Sequence, residues 1–411
     1  MQKKGPVIVA MNHPNAFTDP VAVIFNIYPT RLYYLARGDA FKAGLVTRLL
    51  ESLGIVPIFR IQDGGKEGLK KNEDAYRRVN YLLDRDKKMV VFAEGLCIQE
   101  RRLRPLKKGV ARMTFGAQEY LKNKQLLVIP VGVNYSQPDK LRSTIFYNVG
   151  EPYTLDKYMA EYNVSEAKGY KSFLNELEGK MKALITHINN SEYDETVILI
   201  EKMCKSAFLK SQNLNKKDLY DDYKVTKQIT ELVNSAEINN KEVLDEVKTK
   251  IKPYFKALHK AGMRDWIIDP QNKEYLKTLA VLLRCFIVII GFPVYLTGLL
   301  LNYLPFKSTE LITKAILKGN KEFYSSIWIG LATFIFLIYY VLLFIVVYHF
   351  SSIVLYPILA FLTAGITGKF ALHFHYYFLK FLGIIRAVLN KRKFFELSTN
   401  RASIVELINK F

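Results

Sequence analysis

Twenty-five consecutive residues, Ser326 to Phe350, carry no Asp, Glu, Lys or Arg, and no other feature restricts the fold so strongly. A hydrocarbon core about 30 Å thick takes roughly 20 apolar residues in helical form, so this stretch reads as a transmembrane helix. A second stretch, Ala280 to Leu304, holds one charge, Arg284. A third, Ile353 to Gly368, follows directly after Ser351 and Ser352 and reads as the return leg of a tight hairpin. The last third of the chain must therefore satisfy lipid as well as water.

The charge balance fits that setting. The chain carries 59 Lys and Arg against 38 Asp and Glu, a formal net charge of +21. Anionic lipid headgroups and phosphorylated small molecules suit such a surface. Nucleic acid is not expected, because the basic residues are spread along the chain without a recognition motif. Lys307, Lys314, Lys318 and Lys321 precede the charge-free stretch, and Lys380, Arg386, Lys391, Arg392 and Lys393 follow the third one. Positive loops stay on the cytoplasmic side. The expected arrangement is thus a transmembrane hairpin of 326–350 and 353–368, a basic cytoplasmic tail, and an N-terminal domain facing the cytoplasm. Residues 279–305, interrupted by Gly291, Pro293, Gly298 and Pro305, then form a re-entrant or interfacial segment. Cys97, Cys204 and Cys285 have neither CxxC nor metal-ligand spacing, which implies a reducing compartment, no disulfide framework and no zinc.

The N-terminal third has a different character. Short β-branched runs at Val7 to Ala10, Leu32 to Ala36, Ile55 to Phe59, Met89 to Ala93, Leu126 to Val133 and Ile145 to Val149 alternate with helical periodicity, which predicts an α/β domain. Asp19-Pro20 reads as a helix N-cap followed by Pro at the first helical position. From 153 to 278 the sequence is charged and helical with no chemical motif, and reads as an accessory module. The expected division is 1–152, 153–278 and 279–411: an α/β domain with a central mixed sheet, a helical module, and C-terminal transmembrane helices.

Four blocks in the first domain carry chemistry-bearing residues. In the first, Val7-Ile8-Val9-Ala10-Met11-Asn12-His13 delivers a histidine from a strand, and Asp19 follows at a helix start. Such an Asp can fix one imidazole tautomer and leave the other nitrogen as a general base; a His near an Asp is also a common turn arrangement. In the second, Gly54 opens a strand that ends in Arg60, whose planar fork suits a phosphate but is also an ordinary surface residue in a basic chain. In the third, Val90-Val91-Phe92-Ala93-Glu94-Gly95 ends a buried strand in a carboxylate and a glycine, and a basic loop with Arg101, Arg104 and Lys107 follows. The fourth is an apolar strand broken by Pro130. Each has a bland structural reading when taken alone.

Together, in this order and spacing, the blocks resemble those of the glycerolipid acyltransferase superfamily, which includes lysophosphatidate and glycerol-3-phosphate acyltransferases, across residues 5 to 152. The resemblance implies His13 as general base, Asp19 as its orienting partner, and Asn12 and Pro130 as structural members of the motifs. It implies Gly54, Arg60, Glu94 and Gly95 at the acceptor site. It further implies an acyl-CoA or acyl carrier protein donor, a glycerol phosphate acceptor and no metal or cofactor, because a thioester is already activated. Two departures qualify the match. Cys97 stands where the third block usually has Arg, so Arg101, Arg104 or Lys107 is expected to supply the missing cation; Cys97 as a nucleophile is a competing reading, with no activating neighbour evident in the sequence. His13 and Asp19 are separated by five residues rather than four, which resembles the fungal-type glycerol-3-phosphate/dihydroxyacetone-phosphate branch and tilts the acceptor towards glycerol 3-phosphate. Acylation of lysophosphatidate and a non-catalytic lipid-binding scaffold are the alternatives. Only twelve residues precede His13, fewer than family members carry, so the chain is expected to start at an internal Met.

Overall fold

The computed structural model describes residues 5–16, 18–27, 30–38, 41, 44–59, 61–137, 140–141, 143–319 and 323–411. It divides into two compact units, Met1–His187 with Lys321–Ser326, and Ile188–Asn320 with Ile327–Phe411. The first unit contains β1 (Val7–Met11), β2 (Leu32–Arg37), β3 (Ile55–Ile58), β4 (Lys88–Phe92), β5 (Leu127–Tyr135) and β6 (Ile145–Val149). They form one sheet in the order β3-β2-β4-β1-β5-β6. Strands β1 to β5 run parallel, while β6 is antiparallel to β5, so the mixed sheet expected from the sequence is present. Every residue of β1 is buried, as a continuous VIVAM run requires in a strand covered on both faces.

The covering helices are α1 (Thr18–Ile27), α2 (Leu45–Ser52), α3 (Ile61–Asp84), α4 (Lys108–Leu121), α5 (Asp156–Val164) and α6 (Glu166–Leu184). One apolar core joins Val79 and Leu83 of α3, Phe115 of α4 and Phe173, Leu177 and Met181 of α6 to Ile8 and Ala10 of β1. A second, on the other face, joins Val23 of α1 to Val7, Val9, Met11 and Val131. Phe173, Leu177 and Met181 recur every fourth residue, the stripe of a helix packed along its length. The first unit therefore extends to His187, where the sequence suggested a boundary near 152.

Pro130 lies in the interior of β5 without breaking the sheet. Its carbonyl accepts from Gly150 N at 2.9 Å, and Val128 next bridges to Tyr153. The chain bulges between those two partners, so the missing proline N–H loses no ladder bond.

In the second unit α7 (Asp194–Ser211), α8 (Leu219–Asn239), α9 (Lys241–Lys260), α10 (Asp265–Ile268) and α14 (Lys391–Ile408) share a core that includes Val197, Ile200, Ile229, Leu244, Leu397 and Ile404. The segment expected to be a basic tail is thus a packed helix. Its Arg401 is buried, with Nε 3.0 Å from Asp265 Oδ1 and Nη2 3.5 Å from Asp269 Oδ2.

Between α10 and α14 run α11 (Thr278–Leu317), α12 (Tyr324–Ser351) and α13 (Leu355–Leu389), three helices long and apolar enough to cross a membrane. Their apolar windows bury only 11%, 0% and 17% of their residues, leaving the outward apolar surface that a membrane protein presents to lipid. Two expectations change. The first apolar segment contains no turn, since α11 continues for 40 residues through Pro293 and Pro305; apolar surroundings favour helix over any irregular backbone, and spanning helices tolerate proline. The third segment does not end near Gly368 but continues to Leu389.

The glycines read as interruptions have another role. A methyl on Gly298 would fall 2.1 Å from the Thr367 carbonyl oxygen, so the bare backbone admits α13 at close range. Asn302 Nδ2 donates to Ala364 O at 3.0 Å, Tyr295 OH lies 3.0 Å from His375 Nδ1, and the Phe292 and Phe378 rings are 6.0 Å apart. Residue numbers fall along α11 as they rise along α13, so the two helices are antiparallel. Three simple crossings in succession would leave them parallel.

Candidate active site

The site lies at the carboxyl ends of the adjacent parallel strands β4, β1 and β5, where open α/β sheets bind their ligands. The loop after β1 is fastened to β5 through Asn12, whose Nδ2 donates to Val133 O at 3.0 Å while Oδ1 accepts from Val133 N at 2.6 Å. The next residue, His13, stacks on Phe92 with ring centroids 3.8 Å apart and planes at 17°. Its Nδ1 lies 2.9 Å from Asp19 Oδ2. Facing a carboxylate, Nδ1 is the donor, so that in the neutral ring Nε2 carries the lone pair. The His13 side chain is 15% exposed and Asp19 is wholly buried.

The five-residue separation closes through Asn15. Its main-chain N–H donates to Asp19 Oδ2 at 2.9 Å, and its carbonyl accepts from Asp19 N at 3.3 Å. Asp19 lies inside the first turn of α1, which begins at Thr18, and its carboxylate turns back to this loop, where the sequence suggested an N-cap. The other oxygen, Oδ1, accepts from Tyr135 OH at 2.5 Å. Burial, reinforced by the Asp19 charge, pushes the Tyr135 phenol far above its ordinary range, so Tyr135 remains a donor. Tyr147 OH donates to the Asp19 carbonyl at 3.3 Å, and burial raises that phenol also. With His13, Asn15 and Tyr135 around it, the buried carboxylate has the partners such a group needs.

Glu94 ties the His13 loop to the basic loop. Its Oε1 accepts from His13 N at 3.1 Å and its Oε2 from Arg104 N at 3.0 Å. Burial raises its pKa against the lowering effect of these two donors. Both oxygens engage main chain, so Glu94 shapes the site by holding the two loops together. Gly95 makes the turn with φ +62°, and the exposed Lys107 donates its main-chain N–H to Ala93 O at 3.0 Å. Arg101 Nη2 donates to Ser136 O at 3.3 Å, and Arg104 Nη2 to Glu100 Oε1 at 2.7 Å. Cys97 is partly exposed and is not part of a disulfide. Among the described residues no cluster of side chains has a metal-ligating arrangement.

Gly54, with φ +83°, directly precedes β3 at its amino end, and its carbonyl accepts from Tyr34 N at 3.0 Å. Arg60 lies outside the described residues. Phe59, just before it, is clamped by the buried Asn72: Phe59 N donates to Asn72 Oδ1 and Asn72 Nδ2 to Phe59 O, both at 2.7 Å. Sequence reasoning missed Asn15, Asn72, Phe92, Tyr135 and Tyr147. The tyrosines look like ordinary strand aromatics, and only the register of β5 and β6 brings them to Asp19.

One more histidine fixes the basic loop. Leu103 N donates to His187 Nδ1 at 3.0 Å, and burial, helped by Lys182 and Arg102, lowers the His187 pKa to about 4. A histidine depressed on folding binds fewer protons when folded, so its contribution is present above the ordinary value of about 6.5 and is lost as pH falls towards 4. The fall in melting temperature between pH 6.5 and 4 should be smaller in His187→Gln than in the wild type. Equal slopes would contradict a neutral acceptor at this position.

Residues 1–134 match the family model described as Acyltransferase. Glycerol-3-phosphate O-acyltransferase 1 of Saccharomyces cerevisiae is 28% identical over 129 residues, covering 31% of this chain and 17% of that protein. Glycerol-3-phosphate O-acyltransferase 2 of the same yeast is 26% identical over 212 residues, covering 49% of this chain and 25% of that protein. The similarity thus spans a quarter or less of either relative. The family match lies within the first unit, and over residues 1–134 the chain is similar to acyltransferases.

Proposed function

We propose that the first unit transfers a fatty acyl group from a thioester, acyl-CoA or acyl carrier protein, to a hydroxyl of glycerol 3-phosphate at the cytoplasmic face of a membrane. The observation that carries this reading is the His13–Asp19 pair, 2.9 Å apart with the carboxylate wholly buried. Nε2 of His13 takes the proton of the acceptor hydroxyl as its oxygen attacks the thioester carbonyl. The tetrahedral intermediate then expels the thiolate, which takes the proton back from the imidazolium. Asp19, held by Tyr135 and Asn15, stabilises that imidazolium and fixes its tautomer. A positioned base contributes on the order of 10²- to 10⁴-fold.

The acceptor assignment is supported by the two yeast glycerol-3-phosphate O-acyltransferases and by the five-residue spacing between His13 and Asp19. Arg60 is the proposed phosphate clamp, with Arg101, Arg104 and Lys107 as further cations near the site. A membrane location keeps an acylated product in lipid, and anionic headgroups complement the net charge of +21.

The full chain in detergent, supplied with labelled acyl-CoA and either acceptor, should acylate glycerol 3-phosphate with the higher kcat/KM. A preference for lysophosphatidate would replace this reading with acylation of the second hydroxyl, and the absence of transfer to either would favour a non-catalytic scaffold. Arg60→Lys exchanges a planar fork for a point charge. It should raise the KM for glycerol 3-phosphate roughly tenfold and leave the donor KM little changed; an equal rise in both would sink the clamp.

A further inference from the structure

Asn15 lies between His13 and Asp19 in sequence and is fully buried. Its main chain holds Asp19, while its side chain joins a distant part of the chain. Nδ2 donates to Ser325 Oγ at 2.8 Å, and Oδ1 accepts from Ser326 Oγ at 2.8 Å. Ser326 Oγ also shares a hydrogen bond of 3.1 Å with Thr18 Oγ1, one residue before Asp19. Both serines belong to the first unit although they lie more than 300 residues along the chain, and they sit in the first turn of the apolar helix α12.

We propose that Ser325 and Ser326 are positioning residues for acyl transfer, fixing the His13–Asp19 loop through both ends of the Asn15 amide. The proposal rests on the general-base reading of His13. Within this loop, Asp19 takes two of its contacts from Asn15, so displacement of Asn15 displaces the carboxylate. The loop is one residue longer than the family's common spacing, and the buried amide restrains that extra length. Loss of the two hydroxyls takes one partner from each end of the buried amide, leaving Oδ1 its longer contact with Thr18 N at 3.4 Å, and the amide shifts with its loop as it re-forms its hydrogen bonds. A small displacement of a catalytic group can cost on the order of 10²-fold in rate.

The test is steady-state kinetics of the full chain in detergent with labelled acyl-CoA and glycerol 3-phosphate. Ser325→Ala/Ser326→Ala should lower kcat roughly ten- to a hundredfold, with both KM values within about twofold of wild type. Ser326→Thr keeps the hydroxyl and should lose far less than Ser326→Ala, a comparison that holds even if the double variant fails to fold. A double variant with wild-type kcat, or equal losses in Ser326→Thr and Ser326→Ala, would overturn the positioning role. If His13→Ala is inactive while the double serine variant is fully active, only the positioning role falls. If His13→Ala is as active as wild type, the general-base reading and this proposal fall together.

Discussion

His13→Ala is expected to reduce acyl transfer at least ~10²-fold while leaving the fold intact. The imidazole lies over Phe92 at the edge of the site and is partly exposed, so its loss opens no interior cavity. The melting temperature should therefore stay close to wild type, which separates a lost base from a lost structure. Asp19→Asn should lower kcat by a similar order. An amide can accept from Tyr135 or His13, but its NH2 group must then face another donor, since His13 Nδ1–H, Asn15 N–H and Tyr135 OH all converge on the carboxylate. A His13→Ala protein retaining more than a tenth of wild-type turnover would remove His13 from the mechanism.

The second large effect is expected in the other unit and concerns stability. Arg401 on α14 is buried against Asp265 and Asp269, and its Nη2 also donates to Met203 O at 2.9 Å. Tyr254 OH donates to the same Asp265 oxygen at 2.7 Å. Burial already raises the Asp265 pKa, against the pull of Arg401. Arg401→Ala leaves two buried carboxylates without their cation, a change that typically costs ~3–5 kcal/mol. Chemical denaturation should show a loss of that size. Without the arginine the Asp265 pKa rises further. A carboxyl raised on folding favours the folded state at low pH and loses that contribution as pH rises through the folded value, so the defect should shrink on acidification. A loss below ~1 kcal/mol, or one independent of pH, would show that α14 is not held by this pair.

The alternation of short apolar strands with helices is written locally, and the sequence marks all six strands to within one or two residues. The first and third blocks are equally local, since each sits at the end of a strand, β1 or β4, where the next few residues form the loop. Contacts that complete the site are not local. Asp19 meets Tyr135 across 116 positions, and Asn15 meets the serines of α12 across more than 300, joined by strand register and helix docking that no window of sequence contains. The reading of α11 failed for a related reason: Gly291 and Gly298 look like helix breakers until α13 is placed against them. Likewise, Lys391, Arg392 and Lys393 give the last segment the look of a solvated tail, whereas Leu397, Ile404 and Leu407 form the stripe that packs it into the helical core.

The central claim is that a histidine held by a buried aspartate drives acyl transfer to a glycerol phosphate. It is tested most directly by following a labelled acyl group from acyl-CoA into lipid, with glycerol 3-phosphate as the only acceptor and the purified full chain as the only protein. The predicted result is acylglycerol phosphate formed by wild type, and formed at least ~10²-fold more slowly by His13→Ala of unchanged melting temperature. Equal rates in the two proteins, or no product from folded wild type with any glycerol phosphate, would contradict it.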